Sequence, residues 1–209
     1  RARHGGYATG YRALGMADSD PPVRPAATVL LVRDGEAGLE VLMQRRNPTM
    51  VFASGNYVFP GGRVDDADGE GEAAYVAAAV RECREEAGLT VDAADLVWMA
   101  HWVTPRGEPR RFDTRFFLAV APEGQDALHD GEEAVATEWV RPDDGLAHWK
   151  AKEWTMMPPT VVCLRNLSEH ATADAAMAWA RGIGTPVCVR PRERLDADGV
   201  AVEDDRRRC

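Results

Sequence analysis

Apolar and polar positions along the chain fall into short runs with two periods, and these predict an alternation of strands and helices. Ala26 to Val32 and Leu39 to Gln44 are nearly continuous apolar runs of strand length, separated by Asp34-Gly35, which reads as a hairpin or short loop. Asn47 to Asn56 reads as a loop carrying Met50, Val51 and Phe52. Tyr57 to Arg63 (YVFPGGR) reads as a short strand broken by proline. It ends in a glycine pair that lets backbone approach backbone or ligand without an intervening Cβ. Glu72 to Ala87 is an alanine-rich helix with Ala73, Val76, Ala77 and Val80 as its expected core stripe, and Gly88 suits a left-handed cap at its end. Strands follow at Leu96 to Val103, Arg111 to Val120 and Ala134 to Val140. Pro142-Asp143-Asp144 opens a helix, further helices run over Pro159 to Ser168 and Thr172 to Arg181, and Val187 to Arg190 adds a last strand. Periodicity alone supports α and β elements mixed in one layered α/β domain.

With 209 residues, 45% of them hydrophobic and 28% charged, the chain can bury one real core. Residues 1–20 read as an N-terminal extension or tag remnant, expected to be disordered. Residues 21–192 form a single domain with C-terminal helices, and 193–209 a polar tail. A net charge of −9 argues against a nucleic-acid partner, because phosphate backbones require a basic surface. No apolar run reaches the roughly 18 residues that span a bilayer, and the first residues lack the apolar core of a signal peptide. The expected location is therefore cytoplasmic, with no membrane partner. Cys83, Cys163, Cys188 and Cys209 show no CxxC or zinc-ligand spacing, so reduced thiols are expected.

Candidate chemistry concentrates in Arg81-Glu82-Cys83-Arg84-Glu85-Glu86-Ala87-Gly88-Leu89. Glu82, Glu85 and Glu86 are spaced i, i+3 and i+4, so they neighbour one another on a helix and repel. They also lie at the negative end of the helix dipole, where anions are unfavourable. A solvated acidic face bridged by Arg81 to Glu85 tolerates this. A bound Mg²⁺ reverses both effects, since hard divalent cations favour clustered carboxylate oxygens.

Together with the preceding FPGG, this stretch resembles the box of the Nudix hydrolase family, in which a glycine, five residues, a glutamate and seven residues lead into R-E-U-x-E-E-x-G-U. The second half matches from Arg81 to Leu89. In the first half the box glycine falls on Ala67 and the box glutamate on Ala73, so the loop after Gly62 is longer. Gln44 to Asp68, Trp102 to Pro105 and Pro109 to Phe117 are similar to the branch of the family that includes the peroxisomal coenzyme A diphosphatase. The resemblance implies an α/β/α sandwich around a mixed sheet. It further implies a diphosphatase dependent on Mg²⁺, with Mn²⁺ as a substitute.

Carried over residue by residue, the resemblance makes Glu82, Glu85 and Glu86 metal ligands, joined by the Gly62 carbonyl and by an acidic residue from a loop beyond the sheet, for which Glu132 and Glu133 are the candidates and Glu133 the one chosen. One glutamate also serves as the base. Arg81 is expected to tie the helix to the loop, with Glu72, Glu70 or Asp68 replacing the partner missing at Ala73. Arg46, Arg63, Arg110, Arg111 and Trp102 are the candidate substrate-binding residues, although Arg111, Asp113 and Arg115 share a strand face and equally fit an ion-pair ladder. His101, His148 and His170 read as ordinary solitary residues. The leading substrate is coenzyme A or an acyl derivative, cleaved to 3′,5′-ADP and a 4′-phosphopantetheine product. Diphosphatase action on NADH or ADP-ribose and a non-catalytic nucleotide-binding module both stay open, as do a monomer and a homodimer.

Overall fold

The computed structural model describes residues 20–49, 53–129 and 131–190. The expectations for the N-terminal extension, for Met50, Val51 and Phe52, and for the polar tail lie outside the described residues. Eight strands form one mixed sheet: β1 (Val23–Gly35), β2 (Gly38–Arg46), β3 (Tyr57–Val58), β4 (Gly61–Arg63), β5 (Val97–Val103), β6 (Arg111–Val120), β7 (Ala134–Val140) and β8 (Cys188–Val189). The main path runs β3-β2-β1-β6-β5-β8, with β4 on β1 and β7 on β2. β1 pairs with β6 and β5 with β8 in parallel, and the remaining pairs are antiparallel.

The central strand explains its own sequence. Val29, Leu30, Leu31 and Val32 of β1 are all fully buried, which requires cover on both faces of the sheet and accounts for an apolar run without alternation. On one face Ala27, Val29 and Leu31 meet α1 (Gly71–Ala87). On the other, Leu30 and Val32 meet residues of α3 (Pro158–Ser168) and α4 (Ala173–Ile183), while α2 (Pro142–Lys150) adds Leu146. The result is the α/β/α sandwich expected from the sequence.

The face of α1 that meets the sheet differs from the expected stripe. Ala74, Ala78, Ala79, Cys83, Glu86 and Ala87 are buried; Ala73 is exposed, and Val76, Ala77 and Val80 are only half-buried. Close packing on β1 selects the smallest side chains, so the valines are pushed to the flank of the contact. Cys83 and Cys163 are free and buried, whereas Cys188 is disulfide-bonded, which departs from the expectation of reduced thiols.

The proline break does topological work. Tyr57 and Val58 pair with β2, and after Pro60 the chain passes to β1, where Thr28 lies opposite Gly61 and Ala27 opposite Gly62. The Pro60 carbonyl accepts from the Val29 N–H at 2.8 Å. A Cβ on Gly61 would lie 2.7 Å from Thr28 Cα and overlap the Ala27 carbonyl, both of them backbone atoms that cannot swing aside. Gly61→Ala is therefore expected to destabilise the fold by about 2–3 kcal/mol, seen as a lower denaturant midpoint at unchanged slope. Gly182→Ala, inside α4 where the added Cβ meets nothing within 4 Å, should instead stabilise by about 0.5–1 kcal/mol.

Candidate active site

The last two turns of α1 carry Arg81, Glu82, Glu85 and Glu86, and Gly88 closes the helix in a left-handed conformation with φ 69°. Glu86 stands three residues beyond fully buried Cys83, so its side chain is carried to the inner face and is only 6% exposed. Oε2 of Glu86 accepts from the Gly61 N–H at 2.9 Å, and its backbone carbonyl accepts from buried Gln44 Nε2 at 2.8 Å. Burial pushes the Glu86 carboxyl up to about 8; the Gly61 N–H opposes this, Glu82 and Glu133 reinforce it, and Arg46 offsets it. Burial also raises Glu82, against the lowering effect of its hydrogen bond from Arg81. A Cβ on Gly62 would fall 2.6 Å from Glu82 Cδ, so glycine lets this backbone lie directly on the carboxylate. Glu85 is half exposed.

Arg81 binds these parts together. Its Nε and Nη2 form a fork on the two Asp68 oxygens at 3.0 and 2.9 Å. Nη1 reaches Glu82 at 2.7 Å and Glu85 at 3.0 Å, and Nη2 also donates to the Arg63 carbonyl at 2.8 Å. Arg81 holds the Asp68 carboxyl below its ordinary range, and the carboxylates in turn raise the already high value of Arg81. Of the three acidic choices Glu72, Glu70 and Asp68, it is thus Asp68 that pairs with Arg81. Glu72 pairs instead with Arg115, whose guanidinium stacks 4.0 Å from the Tyr75 ring and 4.4 Å from that of Trp98.

Glu133 is brought to the same place from the segment before β7. It meets Arg46 at 3.3 Å, and the Asn47 N–H fixes its carbonyl at 2.8 Å. Arg46 lies between Glu133 and Glu86, 3.9 Å from the latter. Its side chain is 15% exposed, so it neutralises carboxylates at the site instead of standing open to a ligand.

Of the other expected substrate contacts, Arg63, Arg110 and Arg111 border one cleft and Trp102 does not join them. Arg63 and Arg110 are exposed, and Arg111 is half-buried with Nε donating to the Thr104 and Pro105 carbonyls at 3.3 and 3.1 Å. Trp102 corrects the expectation: it is 6% exposed and packs in the core between the sheet and helices α2–α4, on the face away from α1. Its parity along β5 puts the ring inward, a choice that position beside a Thr-Pro turn does not reveal. Arg111, Asp113 and Arg115 do not form a ladder among themselves, because each has its own partner. Asp113 takes His101, whose Nε2 lies 2.5 Å from Asp113 Oδ1, so His101 is not solitary. His148 also has a carboxylate partner, Glu153, at 2.6 Å.

The donor set fits a hard divalent cation. Oxygen is the only ligand type, two of the three glutamates are carboxylates whose charged form burial disfavours, and Gly62 leaves room for no side chain between the loop and Glu82. Among the described residues no three His, Cys, Asp or Glu side chains already converge as a ligand group. Arg81 holds Glu82 and Glu85 while the Gly61 N–H holds Glu86. Gln44 and Gly61 were not singled out from the sequence as parts of the site; the one available signal was a polar Gln44 closing an otherwise apolar strand.

Known proteins resemble this chain in sequence and in fold. Residues 22–158 match the family model described as NUDIX domain. The chain is 26% identical over 203 residues to "Putative nudix hydrolase 7" of Caenorhabditis elegans, covering 80% of this chain and 68% of that protein. It is 33% identical over 118 residues to the human "Acyl-coenzyme A diphosphatase NUDT19", covering 53% of this chain and only 32% of that longer protein. Among solved structures, the NUDIX hydrolase from Alicyclobacillus acidocaldarius superposes with a TM-score of 0.68 at 29% identity, covering 75% of this chain and 96% of that one.

The raised Glu86 value has a definite consequence for stability. Between its ordinary 4.5 and about 8 the folded protein binds a proton that the unfolded chain has released, so stability falls as pH rises through this window. In metal-free buffer the melting temperature is expected to drop from pH 5 to pH 8, and the Glu86→Gln variant should show a flatter profile. A parent profile that rises over the same window would contradict the burial of an uncompensated carboxylate.

Proposed function

The chain belongs to the NUDIX domain family and is a diphosphate-cleaving hydrolase of that family; on that premise we propose that it acts on coenzyme A or an acyl-coenzyme A, releasing 3′,5′-ADP and a 4′-phosphopantetheine product. The observation that carries the catalytic reading is the contact of the Gly61-Gly62 backbone with Glu82 and Glu86, which gathers buried carboxylates under a loop with no side chain in the way. The substrate reading is supported by the similarity to the human acyl-coenzyme A diphosphatase. Family similarity alone does not fix which diphosphate is cleaved.

Glu82, Glu85 and Glu86, with the Gly62 carbonyl and Glu133, are the residues proposed to hold Mg²⁺, or Mn²⁺ in its place. Such an ion, when bound, neutralises phosphate oxygens and lowers the pKa of an attacking water. The chain's own residues do the rest. Arg81 fixes the helix end relative to the loop through Asp68 and the Arg63 carbonyl, so the carboxylates face the glycine backbone at a set height. Arg46 balances Glu86 and Glu133, which keeps two acidic groups from different elements near one another. Half-exposed Glu85 presents its carboxylate toward solvent, where an incoming diphosphate must arrive.

Glu85→Gln is expected to lower Mg²⁺-dependent turnover by about a hundredfold or more. It should change stability by no more than about 0.5 kcal/mol, since it loses only a half-exposed ion pair. The assay is release of 3′,5′-ADP from coenzyme A and acetyl-coenzyme A, run beside NADH and ADP-ribose. Turnover confined to NADH or ADP-ribose replaces the substrate, and normal turnover by the variant removes the ligand assignment. Nucleotide binding without turnover of any compound is the outcome that a non-catalytic module requires.

A further inference from the structure

Where β1 and β6 begin, an open cleft of about 370 Å³ is lined by Arg24, Arg63, Arg110 and Arg111, with three prolines, Pro21, Pro22 and Pro109, and Phe112 completing the wall. Four guanidinium groups at one cleft invert the sign of a chain whose net charge is −9. Sheet register gathers them. Val23 lies opposite Arg111 and Arg24 opposite Phe112 on the parallel β1/β6 pair, while Ala26 lies opposite Arg63 on β4.

Crowded like charges repel unless something answers them, and the described residues answer two of the four. Arg111 is held by two backbone carbonyls and stands 3.7 Å from Asp20; Arg63 stands 3.8 Å from Asp65. Arg24 and Arg110 are exposed and have no ion-pair partner among the described residues, and no carboxylate lines the cleft itself. Arg63 also follows Gly62 directly, so the cleft adjoins the loop that lies on Glu82.

We propose that this cleft is a second anion site, which binds a phosphate monoester on the nucleotide half of the substrate while the scissile diphosphate lies over the carboxylates. The inference rests on the diphosphatase reading above and adds a distinct group to it. A monoester carries nearly two charges on three acceptor oxygens, and guanidinium forks match it by paired N–H donation. The scissile diphosphate cannot serve as this ligand, since it must lie at Glu82, Glu85 and Glu86 when it is cleaved. The cleft therefore selects substrates that carry a third phosphate over those that carry the diphosphate alone.

Binding of 3′,5′-ADP and of 5′-AMP to the metal-free protein, measured by calorimetry, tests the site without relying on turnover. The bisphosphate is expected to bind about tenfold more tightly, and the double variant R24A/R110A, altered only at exposed positions, is expected to abolish the difference. Equal affinity for the two nucleotides in the parent, including none for either, overturns the proposal, as does a preference retained by the double variant. Hydrolysis then separates this result from the substrate reading. The parent should favour coenzyme A over 3′-dephospho-coenzyme A in kcat/KM, and the double variant should not. Cleavage of neither compound refutes the substrate reading while the binding preference still decides the cleft. Equal cleavage of both by the parent overturns the cleft while the substrate reading stands.

Discussion

Five hydrogen bonds to acceptor oxygens converge on the guanidinium of Arg81, and the arrangement of the site depends on them. Two run to Asp68 in the turn before α1, one to the backbone of β4, and one each to Glu82 and Glu85 on the helix itself. Three segments that are separate in sequence are locked by a single planar fork, whose fixed geometry lysine could not reproduce. The group is also only about one-fifth exposed, so these bonds form in a setting where charge-assisted contacts count for more than on an open surface. Without Arg81, Glu82 and Glu85 at the negative end of a helix dipole would lose their counter-charge, and only Glu86 would keep partners, the Gly61 N–H and Arg46.

The lock has meaning only because the loop it holds can come so close. Gly61 lies against the backbone of Ala27 and Thr28, and Gly62 against the carboxylate of Glu82. One face of the glycine strand therefore serves the sheet and the other serves the site. Glu86 completes the arrangement from beneath, taking the Gly61 N–H while Gln44 satisfies its carbonyl. A polar residue fully buried in a central strand is unfavourable unless bonded. Gln44 is bonded, and through that bond the core positions the helix end.

Much of this was legible in the sequence, for identifiable reasons. Continuous apolar runs mark β1 and β2 because both faces of those strands are covered, and proline and glycine mark the crossing from β3 to β4. The acidic turn was legible because it is locally unfavourable without a counter-charge. The core face of α1 was not, since Ala73, Ala74, Ala77, Ala78 and Ala79 give almost no contrast around the helix and only contact with β1 selects a face. Asp68 remained one of three acidic choices because Glu72 and Asp68 differ in partner only once β6 supplies Arg115. Trp102 was misplaced for a similar reason: its strand was evident, but the parity that turns it toward α3 and α4 is set by pairing with β6 and β8.

The distribution of charge ties the acidic site to the basic cleft. At the acidic end the fold buries Glu86 and partly buries Glu82 in a way that disfavours their charged forms, so the protein alone carries a desolvation penalty there. Whatever cation neutralises these oxygens is bound partly by relief of that penalty, and protons compete for the same oxygens. At the basic end the imbalance has the opposite sign, with Arg24 and Arg110 having no ion-pair partner among the described residues beside Arg63 and Arg111. Arg63 connects the two, its carbonyl bonded to Arg81 and its side chain on the cleft. A ligand that brings cations to one end and an anion to the other would relieve both imbalances at once, and a neutral ligand would relieve neither.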